Sequence, residues 1–336
     1  TSFLNLGSEV RILPGTPNNA IITHMQVFIP NNKNKLKKTV LGSVPTPEEL
    51  QKILKKSLPK SIENILEETH EDLLQIKRTY EKLGVEVITF PVEKFEDSLN
   101  VRNGFVVIDD HMYITEKLDC LKDLYESVDN KTFVPHRGHY SPDIYINDDY
   151  VILDGLESKQ YKYWRELLSP KRKIITAFNE GHSDGIYCNV ADKIWLTNGD
   201  SLNYKKYWPN IPVMELSTTN GGNINHWAPI QEKFRKNWLE KTNGRYVIYN
   251  SDLKDDDVKF IDEHLRTWVG YCEETLFDIN LSVIDSNNVM VISQNSEVYD
   301  RLESLDIKVH KIPFRHRFFW DGGLHCITND LVRETL

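Results

Sequence analysis

The sequence predicts an α/β fold, a ββαβ unit repeated and closed into a ring, and two observations carry the prediction. The first is a recurring pattern: an apolar alternating strand, a tight Asp/Asn turn, and a second strand. It occurs four times, at Gly104–Thr115 (GFVVIDDHMYIT), Asp143–Leu153 (DIYINDDYVIL), Asp184–Thr197 (DGIYCNVADKIWLT) and Asp278–Ser293 (DINLSVIDSNNVMVIS). The second is the order of elements behind each copy. Helical or partly helical stretches come at 116–127, 157–168, 202–208 and 297–305, and short apolar strands return at 173–175, 212–214 and 307–309. Repetition on this scale marks an array of similar modules. If N-terminal strands pair with the segment around Cys326, the array closes, its sheet edges disappear, and residues of different modules surround one cleft. An ordinary α+β domain with coincidental hairpins is the competing reading.

Taken in order, the chain opens with β-like runs at Val10–Leu13, Ala20–Thr23 and Met25–Ile29 among Pro and Asn turns. Residues 31–60 carry Lys, Pro and Asn and read as loop, with a short helix from about Pro47 to Lys56; the Lys-rich stretch Asn32–Lys38 reads as solvated. Ser61 stands where a helix cap belongs. After it Ile62, Ile65, Leu66, His70, Leu73, Leu74, Ile76, Tyr80 and Leu83 recur mostly three and four apart, which predicts a long amphipathic helix ending at Gly84. The β-run Val85–Phe90 comes directly after it. Residues 221–270, with Trp227, Trp238 and the acidic run Asp252–Asp257, fit the repeat poorly. They are read as an insertion in one domain spanning 1–336.

Composition narrows the function. A chain of 336 residues, 40% hydrophobic, can bury a sizeable core. With 41 basic against 50 acidic residues the net charge is −9, which points away from nucleic acid and suits a neutral or cationic small ligand. No run nears the roughly 18 apolar residues of a membrane span, and TSFLNLGSEV lacks the order of a signal peptide. Cys120, Cys188, Cys272 and Cys326 are far apart with no C-x-x-C pair, so a reducing, cytoplasmic setting is expected. Neither a phosphate-binding Gly loop nor a metal-spaced His/carboxylate set beyond His182-x-Asp184 occurs; no cofactor and no metal are expected. Gly221-Gly222-Asn223 reads as a turn opening the insertion.

Two stretches carry chemistry. In Phe319–Asp330 the pair Gly322-Gly323 leaves room for close backbone approach, and Leu324–Ile327 reads as a short strand carrying Cys326 into a cleft. A lone cysteine is as readily a small buried hydrophobe. As a nucleophile it needs a base or positive field, since an unperturbed thiol has a pKa of about 8.5. In Asn179–Gly185 an imidazole, His182, stands two residues before Asp184, on the same side of an extended strand. That base could activate the thiol.

Residues that far apart in sequence, each at a module start, make a stronger pair than either alone. Together with Tyr80–Val87, Val101-Arg102-Asn103, Gly181-His182-Ser183-Asp184, Ile194–Asp200, Asn280 and Gly322–Cys326, they make the chain resemble the amidinotransferases of the pentein, or guanidine-modifying, superfamily. The resemblance implies a five-module ββαβ propeller. It also implies that Cys326 attacks an amidino carbon, His182 shuttles a proton to and from the amine, and Asp184 holds the substrate nitrogens. Small guanidino or amine molecules are then the expected partners; a homodimer is an option the sequence leaves open.

The chain departs from that pattern at three places. Arg102-Asn103 stands where the family has Arg-Asp, so an amide replaces the carboxylate that pairs with a guanidinium. Arg137–Asp143 replaces a stretch with a catalytic carboxylate; His139 or Tyr140 takes that place, with Asp143 the nearest acid. Ser201 follows Asn198-Gly199-Asp200 where an Arg can clamp a substrate carboxylate. Asn103, His139, Tyr140, Asp143, Ser201 and Asn280 are the expected substrate-binding residues, and Glu273 and Glu274 read as an acidic rim that could meet an amine. Three activities are carried forward: transfer of an amidino or related group from a guanidino donor to an amine through covalent Cys326, with a donor other than arginine or an unusual acceptor left open; hydrolysis of the same intermediate; and binding without catalysis.

Overall fold

The computed structural model describes residues 24–92, 98–135, 141–179, 182–199, 201–216, 242, 245–246, 254–266, 269, 277–292, 295–320 and 322–335. Five three-stranded sheets are present among them. Four share one plan: an antiparallel hairpin, then a helix, then a strand parallel to the hairpin's second strand. They are β3 (Phe105–Ile108), β4 (His111–Ile114) and β5 (Lys131–Phe133); β6 (Ile144–Asn147), β7 (Tyr150–Asp154) and β8 (Lys173–Ala177); β9 (Tyr187–Val190), β10 (Ile194–Thr197) and β11 (Val213–Glu215); and β12 (Ser282–Asp285), β13 (Asn288–Val291) and β14 (Lys308–Lys311). The intervening helices are α3 (Lys122–Ser127), α4 (Ser158–Leu168), α5 (Tyr204–Tyr207) and α7 (Ser296–Glu303). Three of the four hairpins turn at Asp residues in the left-handed region, which Asp tolerates: Asp109 and Asp148 open two-residue turns, and Asp192 follows Ala191 in a three-residue turn. Asp109 has φ 55°, Asp148 47° and Asp192 58°.

The fifth sheet closes the ring. β15 (Thr328–Arg333), at the C-terminal end, runs antiparallel to β1 (Leu36–Leu41), which pairs in parallel with β2 (Glu86–Ile88). Closure was the sequence expectation, but its strand is a different one. The structure makes a strand of Leu36–Leu41, in a segment read as loop, while Met25, Phe28 and Ile29 form only isolated bridges. The runs at 10–13 and 20–23 lie outside the described residues. The lysines masked β1. Leu36, Thr39 and Val40 are completely buried, whereas Lys37 and Lys38 keep their ammonium groups on Glu334 and Glu86. Lys33 is not simply solvated either: it bridges Asp148 at 2.8 Å and Asp192 at 2.5 Å, tying two hairpin turns. β5 also has no counterpart in the sequence reading.

Between β1 and β2 lie α1 (Pro47–Leu54), with a Thr46 capping box, and α2 (Lys60–Lys82). α2 buries Ile62, Ile65, Leu66, Leu73, Ile76 and Tyr80 and ends, as its periodicity requires, before Gly84 at φ 80°. Leu74, counted on that face, is 47% exposed. Ser61 does not cap α2; Pro59 occupies that position and the Ser61 hydroxyl donates to Asp257 at 2.7 Å. Asp257 belongs to α6 (Asp255–His264), whose first turn takes up part of the acidic run and whose Ile261 packs into the core beside α2. Most of the stretch 221–270 lies outside the described residues. Apolar clusters fill the junctions between neighbouring modules: Trp164 with Val106 and Val151, Trp195 with Tyr145 and Tyr187, and Leu302 with Val190 and Val283. No helix among the described residues is long and apolar enough to cross a membrane.

Candidate active site

A short segment precedes the first strand of each module. Three are single 3-10 turns, Val101–Asn103, Ser141–Asp143 and Ser183–Gly185, packed side by side. Hydrogen bonds link the five starts into a circuit. The Ser141 hydroxyl donates to the Arg102 carbonyl, and the Ser183 hydroxyl to the Pro142 carbonyl. Asn280 Nδ2 donates to the Asp184 carbonyl at 3.2 Å, Asn280 Oδ1 accepts from the Cys326 N–H at 3.1 Å, and the Arg102 N–H donates to the Cys326 carbonyl at 3.2 Å. One buried residue per module thereby fixes its neighbour, and the thiol is set by contacts from three modules.

Cys326 does not lie on a strand, contrary to the sequence expectation. Residues 324–327 form a helical turn after α8 (Arg317–Trp320), with the Ile327 N–H on the Gly323 carbonyl at 3.1 Å, and β15 starts one residue later. The amide of Asn280 imposes this, since Oδ1 collects the N–H groups of both His325 and Cys326. The glycines make the approach possible. A Cβ on Gly323 would stand 2.3 Å from Asn280 Oδ1 and 2.6 Å from its Cβ, and one on Gly322 2.7 Å from Asn100 Oδ1. Gly323→Ala must push Asn280 out of the circuit; urea unfolding should show a loss of about 1–3 kcal/mol, the usual cost of overpacking.

Around the sulfur, Asn280 Nδ2 lies at 3.0 Å and Asp184 Oδ2 at 3.5 Å. His325 Nδ1 also reaches Asp184 Oδ2, at 2.8 Å. Asp184 and Asn280 are buried, and Asp184 Oδ1 is enclosed with no hydrogen-bond partner. Burial works to raise the Asp184 carboxyl, but the His325 hydrogen bond and the charges of His325, His182 and Arg102 outweigh it and hold it below the usual range. Burial and the Arg102 charge lower the His325 imidazole against the pull of Asp184, and facing a carboxylate Nδ1 is the nitrogen that carries the donated hydrogen. Arg102, buried itself, donates Nε to the His325 carbonyl at 3.1 Å.

His182 precedes the third 3-10 turn, and its charge acts on both Asp184 and Asp143. The Asp143 carboxyl is pushed up to about 7, mainly by burial and further by Asp184 and Asp154, with His182 and the Ser183 N–H acting against this. Asp143 ends the second 3-10 turn, within reach of the His182 charge; His139 and Tyr140 lie outside the described residues, as do Glu273 and Glu274. Asn103 ends the first 3-10 turn and accepts the Thr115 hydroxyl on its carbonyl at 2.8 Å. Ser201 sits in a hydroxyl network within its own module, 3.1 Å from Thr197 Oγ1 and 2.8 Å from Tyr204 Oη. His325 was missed as a site residue. Its only sequence signal was adjacency to the cysteine. Among the described residues no group of three or more His, Cys, Asp or Glu side chains could hold a metal.

Five ββαβ sheets in a ring, with cysteine, acid and amide meeting at the module starts, can be compared directly with solved structures. An amidinotransferase of the saxitoxin biosynthetic pathway from Microseira wollei superposes with a TM-score of 0.64 over 92% of this chain and 98% of that one, at 14% identity. The inosamine-phosphate amidinotransferase of Streptomyces griseus gives 0.58, with 92% and 97% covered at 15% identity. The fold is the pentein propeller. Pentein hydrolases share it: a dimethylarginine dimethylaminohydrolase from Pseudomonas aeruginosa gives 0.53 over 88% of this chain and all of that one, at 11% identity. In sequence, 56 residues are 38% identical to the mitochondrial glycine amidinotransferase of Danio rerio, a stretch covering 17% of this chain and 13% of that protein. No family model matches the chain. The resemblance to amidinotransferases noted from the motifs thus extends to the whole pentein architecture.

Proposed function

We propose that this pentein protein is a cysteine-dependent enzyme that moves an amidino group from a guanidino donor to an amine through a covalent Cys326 intermediate. The observation that carries the reading is Asp184. Its Oδ1 is buried and unpartnered while its Oδ2 lies 3.5 Å from the sulfur, so the carboxylate is placed to accept an N–H from a cationic amidino group bound at the thiol. The Cys326 thiolate attacks the amidino carbon; the C–S bond forms, the bond to the donor amine breaks, and His182 gives that amine its proton. An acceptor amine then attacks the same carbon, the C–S bond breaks, and His182 takes the acceptor's proton. Asp143 beside His182 is the companion acid. Because fold neighbours include hydrolases, among them an arginine dihydrolase with a TM-score of 0.51, water is the alternative acceptor, and the same intermediate then ends in hydrolysis.

Intact-protein mass spectrometry after incubation with guanidino and amidino compounds, arginine included, tests this. An adduct that an amine discharges supports transfer, one that decays in buffer alone supports hydrolysis, and no adduct and no product leaves a binding propeller. Two further results are expected. The pH profile of turnover should show an ionisation near 7 that Asp143→Asn removes. Since this acid is raised in the folded state, it favours folding below its ordinary value near 4 and loses that contribution as pH rises through about 7, so Asp143→Asn should unfold later than the parent at pH 8. Asn103→Asp should tighten guanidinium binding about tenfold, the worth of a hydrogen bond to a charged group; unchanged affinity in a titration would place Asn103 outside the pocket.

A further inference from the structure

We infer that His325 is a positioning residue that divides the two oxygens of Asp184, holding Oδ2 through its Nδ1–H so that Oδ1 is left for the substrate. The substrate half of this rests on the function proposed above; the clamp itself rests on the geometry. His325 is fixed at three points: its N–H on Asn280 Oδ1 at 2.9 Å, its carbonyl under Arg102 Nε at 3.1 Å, and its ring on Asp184 Oδ2 at 2.8 Å. A carboxylate can exchange its oxygens by rotating about its last bond; the imidazole prevents this. The oxygen it holds is also the one 3.5 Å from the sulfur. Without that N–H, a carboxylate oxygen would face the thiol with its charge undiminished and oppose formation of the thiolate. His325 therefore serves two ends: it directs the unpartnered Oδ1 and shields the nucleophile from Oδ2. Being adjacent to Cys326, it ties the position of the acid to that of the sulfur.

The charged groups facing this unit are Arg102, His182, Asp143 and Asp330, on other segments of the site. A change confined to His325 leaves all of them in place.

Two variants separate the clamp from the rest of the ring: His325→Leu removes it, and His325→Asn keeps an N–H near the position of Nδ1. The first readout is the pH profile of iodoacetamide alkylation at Cys326, measured by peptide mass spectrometry, which needs no substrate. Alkylation of His325→Leu at pH 7.5 should be about tenfold slower, equivalent to roughly one pH unit, and His325→Asn should return to within about threefold of the parent. The second readout is adduct formation with the guanidino panel, expected to fall about 10- to 100-fold in His325→Leu and to recover in His325→Asn. Parental behaviour in both variants, or equal loss in both, overturns the clamp. If the parent forms no adduct with any compound, the proposed function fails and the substrate half of this inference with it, while alkylation still decides the clamp.

Discussion

Replacing Cys326 by alanine should lower turnover by roughly 10⁴-fold or more, the scale on which covalent enzymes lose a nucleophile, and abolish the mass adduct while the fold persists. The reason the fold persists is in the circuit. Asn280 holds residue 326 through the backbone N–H and Arg102 holds its carbonyl, so neither contact depends on the sulfur. The Asn280 Nδ2 and Asp184 Oδ2 contacts to Sγ are lost, but the Asn280 amide keeps the Asp184 carbonyl and the Asp184 carboxylate keeps His325. Circular dichroism and thermal unfolding should match the parent closely. A fully active alanine variant would exclude every covalent route, transfer and hydrolysis alike.

The second large effect is expected at Asp184. Asp184→Asn keeps the shape but removes the charge that His325, His182 and Arg102 surround, and adduct formation should drop about 10³-fold, near 4 kcal/mol, as when one member of a buried ionic group is removed. Stability should respond with a definite sign. The Asp184 carboxyl is lower in the folded protein than its ordinary value near 3.9, so its contribution is present above that value and fades as pH falls through the folded one. The parent should thus exceed Asp184→Asn in urea midpoint at pH 7, and the two should converge on acidification below about pH 4. A gap independent of pH would mean that the carboxylate acts through packing alone.

These two residues show what could be read without coordinates. Alternating apolar runs around Asp turns are local signals, since a strand buried on one face needs period two and its hairpin needs a residue that tolerates positive φ; the hairpins holding Asp109, Asp148 and Asp192 were legible for that reason. The apolar spacing of α2 and its stop before Gly84 were legible in the same way. Cys326, His182 and Asp184 were legible as candidates because a cysteine-based mechanism would need those residue types at module starts.

What the sequence by itself determined is the repeated module; it also singled out a candidate nucleophile, base and acid. The tertiary structure alone decided which strand closes the ring, that Cys326 sits on a turn, and that His325 and Asp143 come within reach of Asp184. Each of those depends on partners far away in the chain. Leu36–Leu41 becomes a strand only because β15 arrives from the other end to pair with it, which its lysines conceal locally. The turn at 324–327 arises from an Asn280 amide whose approach two glycines permit. His325 and Asp143 matter because folding partly shields them and brings them to charges from distant segments of the chain.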